Sequence, residues 1–256
     1  MKQVYFISDA HLGSLAIPHG RMQERRLVNF LDDIKDRAAA VYLLGDIFDF
    51  WHEYKYVVPK GYTRLLGKLS ELTDRGVEVH FFTGNHDLWI HDYFERECGM
   101  IIHREISLTT EIYGKLFYLA HGDGLGTNDR KYMWLRRMFH SPLCQCLFAN
   151  IHPRWGMQFG LRWAEYSRRK HERQGGEPPY AGEDHEELVL FAKDYLKTHP
   201  DTNYFIFGHR HIEVDQRLSN SSRILIIGDW IDKFTYAVFD GENLFLENYI
   251  EGETKP

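Results

Sequence analysis

Cysteine is scarce in these 256 residues: only Cys98, Cys144 and Cys146 occur, an odd count without framework spacing. That excludes a disulfide scaffold and points to a reducing compartment. No run of 18 apolar residues exists, so no segment reads as a membrane-spanning helix. The opening MKQVYFISDAHLG turns polar at Asp9 after a short apolar stretch, so a secretory leader is not expected and a cytoplasmic protein is. A surplus of positive charge is missing as well. Thirty-one Lys and Arg face 37 Asp and Glu, a net −6, so the chain as a whole is not expected to bind nucleic acid. What is present is 43% hydrophobic and 27% charged residues, the profile of a soluble globular protein with a substantial core. At about 150 residues per domain, the length allows one large domain or one domain with an insertion.

Strand-like apolar runs alternate with helical patterns through the first third. Residues 3–8 (QVYFIS) read as a buried strand ending at Asp9, and 20–37 as a helix with Leu27, Phe30, Leu31 and Ile34 on one side. Residues 40–44 (AVYLL) form a second strand before Gly45-Asp46, and 61–75 a second helix. A third strand, 77–82 (VEVHFF), runs into Thr83-Gly84-Asn85. Such alternation predicts a largely parallel sheet flanked by helices. Two further strands fall within 105–121, the second ending at His121. A helix is expected at 183–198, and strands at 203–207, 223–227, 235–239 and 243–249. The close spacing of the last strands, with Asp240-Gly241 between two of them, predicts an antiparallel meander.

In parallel sheets ligands bind beyond the carboxyl ends of the strands. Here those ends carry Asp9-Ala-His11, Gly45-Asp46-Ile-Phe-Asp49, Gly84-Asn85-His86-Asp87, Ala120-His121-Gly-Asp123 and Gly208-His209-Arg-His211. Carboxylate, imidazole and amide oxygen are the donors wanted by divalent cations that hydrolyse phosphate esters. Two such cations about 3.5–4 Å apart can activate a water and stabilise an in-line displacement. A shared carboxylate offsets their mutual repulsion. Any one of these blocks is commonplace and more often a cap or a satisfied polar group; five in order, each at a strand end, are not.

The five blocks resemble the calcineurin-like metallophosphoesterase family. The resemblance implies an α/β sandwich of mixed sheets flanked by helices, and two divalent ions, with Mn²⁺ favoured by the nitrogen and oxygen donors. It implies that Asp9, His11 and His211 hold one ion, that Asn85, His121 and His209 hold the other, and that Asp46 bridges them. Asn85, His86 and His209 would contact the substrate. His86 would face the scissile phosphate as proton donor or charge stabiliser, and Asp87 would orient it. Asp49 reads equally well as a supporting residue or a turn residue.

Residues 130–173 differ from the rest. Ten Lys and Arg against two acids give a local charge of +8, leaving −14 elsewhere, and eight aromatics are interspersed. The segment reads as a helical cap inserted at about 130–175 into a single domain of residues 1–256, ending at the Gly-Gly-Glu-Pro-Pro run. Trp155, Phe159, Trp163 and Tyr166 recur at helical spacing with Arg154, Arg162, Arg168, Arg169 and Arg173 around them. Such a stripe ordinarily packs a helix onto its own core. The concentration of charge favours instead an acyl-binding face or contact with an anionic membrane. Asp46-Ile-Phe-Asp-Phe-Trp51, His121-Gly-Asp-Gly-Leu-Gly-Thr-Asn-Asp129 and this basic cap resemble the UDP-2,3-diacylglucosamine pyrophosphatases of lipid A synthesis. The resemblance implies cleavage of that lipid-linked sugar nucleotide to UMP and 2,3-diacylglucosamine 1-phosphate. The enzyme would act at the cytoplasmic face of the inner membrane, with Asp129 on the glucosamine and Arg168 and Arg169 on the anionic substrate. Proteobacterial members carry Arg where this chain has His86, the residue of the wider superfamily. Two other readings compete: a phosphodiesterase or phosphatase for a soluble nucleotide or nucleic acid, and a metal-binding scaffold without activity, which the complete ligand set disfavours.

Overall fold

The computed structural model describes residues 2–126, 130–173 and 179–252. Along the chain come β1 (Gln3–Ile7), α1 (Gly20–Ile34), β2 (Ala38–Leu43), α2 (Thr63–Asp74), β3 (Glu78–Phe82), α3 (Tyr93–Cys98) and β4 (Ile101–His103). The hairpin β5 (Leu108–Ile112) and β6 (Lys115–Ala120) precedes three consecutive helices, α4 (Arg130–Phe139), α5 (Pro142–Ala149) and α6 (Pro153–Arg173). After them stand α7 (Glu187–Leu196), β7 (Tyr204–Phe207), β8 (Glu213–Arg217), β9 (Arg223–Ile227), β10 (Thr235–Phe239) and β11 (Leu244–Asn248).

The strands form two sheets, ordered β11-β10-β1-β2-β3-β4 and β5-β6-β7-β9-β8. Alternation within each strand builds the layers. From β1, Val4 and Phe6 point between the sheets, where they join Phe117, Leu119, Ile206 and Leu225. Tyr5 and Ile7 point the other way, into a core with Leu27, Phe30, Leu65 and Leu69 of α1 and α2. On the far side, Leu188, Val189 and Ala192 of α7 cover Tyr118, Phe205 and Phe207. Strands buried on both faces explain why runs such as AVYL and YFIF are apolar throughout rather than alternating. The α/β sandwich therefore has four layers, helix, sheet, sheet, helix. The parallel pairs β1–β2, β2–β3, β6–β7 and β7–β9 bring the functional strand ends to one edge.

The expected meander needs correction. β8 and β9 are antiparallel neighbours, but β10 leaves that sheet and pairs antiparallel with β1, with β11 beyond it. Short buried strands look alike in sequence whichever sheet receives them. The crossing loop is tied down where Trp230 N donates to the Asp9 carbonyl at 3.0 Å.

The α4–α6 segment packs on the chain between Asp49 and Trp89. Phe148 lies against Trp89 and His52, with ring centroids 4.5 and 4.9 Å away. Trp89 Nε1 donates to the Phe139 carbonyl at 3.0 Å. Gly156 and Gly160 of α6 are small where Tyr54 and Phe50 press on the helix: a Cβ at either position would run into those rings.

Candidate metal centre

Each strand end breaks into a tight turn, and the turn aims the donor. Asp9, His11, Asp46, His209 and His211 all adopt left-handed backbone, with φ between 44° and 66°. That conformation is uncommon for residues with a Cβ and costs energy the surrounding packing must supply. The glycines beside them let the loops touch. A Cβ at Gly45 (φ 89°) would lie 2.8 Å from both Gly84 N and His121 Nδ1. A Cβ at Gly84 would collide with the Asp46 carboxylate, and one at Gly208 would sit 2.5 Å from Asp9 Oδ2.

The turns converge on two groups of donors. Asp9, His11 and His211 form one, and Asp46, His121 and His209 the other. In the first, Asp9 Oδ1 stands 3.2 Å from His211 Nε2 and 3.8 Å from His11 Nε2. In the second, Asp46 Oδ2 stands 3.3 Å from His121 Nε2, whose other neighbour is Asn85 Oδ1, also at 3.3 Å. The same Asp46 oxygen lies 3.7 Å from His11 Nε2, so it stands between the groups. Its second oxygen accepts from His86 N at 2.9 Å, which fixes the carboxylate.

These residues fit cations. Asp9 Oδ1 is buried and accepts no hydrogen bond, with His211 Nε2 3.2 Å and His11 Nε2 3.8 Å away. His121 Nδ1 donates to the Leu44 carbonyl at 2.8 Å, so the lone pair of Nε2 faces Asp46 and Asn85. His11 Nδ1 faces Asp49 Oδ1 at 3.2 Å, leaving its Nε2 toward Asp9 and Asp46. Imidazoles oriented by a carbonyl or carboxylate from behind are the usual support of a metal ligand.

The electrostatics carry the same signature. Burial penalises the charged form of His11, yet Asp49, Asp9 and Asp46 outweigh it and lift the imidazole to about 9. His121 is likewise buried and is raised well above its usual range by Asp46 and Asp9. Burial opposes charge on Asp9 and Asp46, but His211 and His11 beside the first and His121 and His86 beside the second hold both far below the ordinary carboxylate range. Burial, then repulsion from His121, pushes His209 down to about 4. Clustered carboxylates that need positive charge this strongly bind protons or metal ions in its place.

His86 joins His11 and Asp46 closely enough to share a ligand group, and its ring lies edge-on to that of His11. Its Nδ1 donates to the Asp49 carbonyl at 2.9 Å, and burial keeps the imidazole below its usual pKa. The role expected of Asp87 is therefore corrected. Asp87 does not orient His86. Its carboxylate accepts from the backbone amides of Gly84, Asp46, Ile47 and Phe48 at 2.8 to 3.2 Å, and so joins the Asp46 turn to the Asn85 turn. Burial and Asp46 raise it to about 7. Backbone amides exposed by a turn are nearer than any side chain, and they claim the carboxylate first.

Arg168 reaches the rim, where Nη2 donates to Asp49 Oδ1 at 2.9 Å. Arg169 points away. It is 60% exposed and paired with Glu165 on the preceding turn. Asp129 lies outside the described residues. Two residues given no role by the sequence reading brace the loops around the centre. Asp123 accepts from Arg136 Nε at 2.6 Å. Buried Glu186 grips Arg210, the residue between His209 and His211, at 2.9 and 3.1 Å. Asp123 stood inside a recognised block and was findable; Glu186, from a helix end far off in sequence, gave no signal.

Donor groups that share a carboxylate, set on strand ends of a double-sheet sandwich, define a metal-dependent hydrolase of phosphate esters. The chain belongs to the calcineurin-like phosphoesterase family, whose model matches residues 2–213. Within that family it is 46% identical to the UDP-2,3-diacylglucosamine hydrolase of Porphyromonas gingivalis, over 96% of this chain and 97% of the relative. It is 33% identical to the protein of that name from Edwardsiella ictaluri, over 64% of this chain and 61% of that one. The Neisseria meningitidis serogroup C protein, also so named, is 29% identical over 90% of both chains.

Proposed function

We propose that this protein hydrolyses the pyrophosphate of UDP-2,3-diacylglucosamine, releasing UMP and 2,3-diacylglucosamine 1-phosphate. The observation that carries the hydrolase reading is Asp46 Oδ2, standing between His121 Nε2 at 3.3 Å and His11 Nε2 at 3.7 Å. Similarity along nearly the whole length to a UDP-2,3-diacylglucosamine hydrolase supports the substrate. Asp9, His11 and His211 would hold one divalent ion, Asn85, His121 and His209 the other, and Asp46 both, with Mn²⁺ the favoured metal. When bound, such ions activate water and offset the charge of a diphosphate.

The chain supplies position and protons. His86 is fixed through Nδ1, so Nε2 is free for the phosphate; an anionic diphosphate beside it favours the protonated ring, which then donates from Nε2. Arg168, whose Nε is buried without a partner, stands beside Asp49 where a second phosphate can be met. Asp129 would contact the glucosamine, as in the family the chain resembles. The α4–α6 segment is the cap. Its exposed Trp155, Phe159, Trp163 and Tyr166 suit acyl chains and the cytoplasmic face of the inner membrane, where Arg169 would meet anionic headgroups.

Incubation with Mn²⁺ and the diacylated sugar nucleotide, followed by phosphorus NMR, should show UMP and the lipid monophosphate. Asp46→Ala should lose about a thousandfold in rate, the equivalent of several kcal/mol of transition-state stabilisation, while folding normally. His86, where the proteobacterial proteins carry Arg, favours a second reading, a phosphodiesterase for a soluble nucleotide. Cleavage of bis(p-nitrophenyl) phosphate without turnover of the lipid substrate would establish that alternative.

A further inference from the structure

We propose that Arg136 is a positioning residue: its ion pair with Asp123, together with the Arg168–Asp49 pair, sets the register of the cap over the metal centre, and through it the preference for a substrate with a lipid end. The inference rests on the proposed function for its substrate, but not for its geometry. Arg136, on the first cap helix, donates from Nε to Asp123 Oδ2 at 2.6 Å, and Tyr132 OH approaches the same oxygen at 3.4 Å. Arg168, near the end of the last cap helix, donates to Asp49 Oδ1 at 2.9 Å. Both carboxylates are buried and both arginines are less than one-fifth exposed. Asp123 lies two residues beyond His121, and Asp49 three beyond Asp46. The cap is thus fastened near its two ends to two of the turns that carry metal donors.

Other contacts assist: Phe148 lies against Trp89 and His52, a non-directional apolar contact, and Trp89 Nε1 gives the Phe139 carbonyl one neutral hydrogen bond. A buried ion pair adds little net stability over an apolar pair of the same size, but it has one good geometry and a steep cost when broken. The Arg136 stem is also seated on Gly124 (φ 76°), where a Cβ would lie 3.1 Å from Arg136 Cδ. Among the described residues, the side chain of Arg136 bonds Asp123 rather than a metal donor. Its loss should therefore release the cap and spare the hydrolytic centre.

The experiment compares two substrates in the full-length protein. Arg136→Ala should raise KM for the diacylated sugar nucleotide at least about tenfold. With bis(p-nitrophenyl) phosphate, which has no lipid end, kcat should stay within about twofold and the Mn²⁺ content should be unchanged. Arg136→Lys, which keeps the charge but not the directed Nε donor, should recover part of the loss. Asp123→Asn combined with Arg136→Ala should be no worse than the worse single change. Equal losses on both substrates, a fall in bound metal, or an unchanged lipid KM would overturn the proposal. Should the wild type fail to cleave the lipid substrate, the proposed function falls and hydrogen exchange still decides this one. Faster exchange across α4–α6 in Arg136→Ala supports the clamp, and unaltered exchange refutes it.

Discussion

Five of the candidate metal donors hold a backbone conformation that their own side chains disfavour. At about 1–3 kcal/mol for each such residue, the strain is a sizeable part of a domain's net stability, so the turns must be held from outside. Asp87 on four amides and Glu186 on Arg210 do so. The close approach of turns is equally demanding, and Gly84 tests it. A methyl there would collide with the Asp46 carboxylate and come within 2.6 Å of its amide nitrogen. Gly84→Ala should lower Mn²⁺ affinity about 10–100-fold, by calorimetry, with the circular dichroism spectrum retained. A second consequence follows from His11. Lifted to about 9, it keeps its proton in the metal-free protein at neutral pH, whereas a ligand must be neutral. Metal uptake at pH 7.5 should therefore release protons, and the release attributable to His11 should fade as pH rises through about 9. Titrations in buffers of different ionisation enthalpy measure it directly, and proton uptake on metal binding would contradict the assignment.

At the scale of elements, the sequence was legible where a pattern ran long enough to repeat. β1, β2, β3, α1 and α2 lie within a few residues of expectation, the helices because their apolar residues repeat at helical spacing and the strands because each is a continuous apolar run. α3 has six residues and β4 three, too short for a period to declare itself. β8, EVDQR, is an edge strand with a polar outer face and offers little hydrophobic signal. The donors were legible for a related reason: each sits at the end of a readable strand. Their supports were not, since Asp87 and Glu186 act on partners fixed only by the folded chain. Gly160 shows propensity and packing opposed within one helix. Alanine there would gain about 1 kcal/mol of helix preference. Its methyl would also run into the Phe50 ring, and overpacking of this kind costs about 1–3 kcal/mol. Gly160→Ala should therefore lower the melting temperature; a rise would mean that α6 can move off Phe50 freely.

On the whole molecule, charge is segregated. Residues 130–173 carry +8 and the remainder −14, so attraction to an anionic surface acts on one side and repulsion on the other. The aromatic stripe lies on the positive side, with Trp155 60%, Phe159 57% and Tyr166 67% exposed. No helix among the described residues is long and apolar enough to cross a membrane. Each cation near an anionic bilayer contributes about 1 kcal/mol and is screened within about 10 Å at 0.1 M salt. Aromatic insertion is not screened by salt. The two contributions can be separated by cosedimentation with vesicles. Binding should require anionic lipid at low salt and weaken several-fold as salt rises toward 0.5 M. Trp155→Ala with Phe159→Ala should remove most of what survives at high salt, and leave cleavage of a short soluble phosphodiester intact. If binding ignores both lipid charge and these two side chains, the +8 segment serves the diphosphate alone and the stripe belongs to the acyl chains.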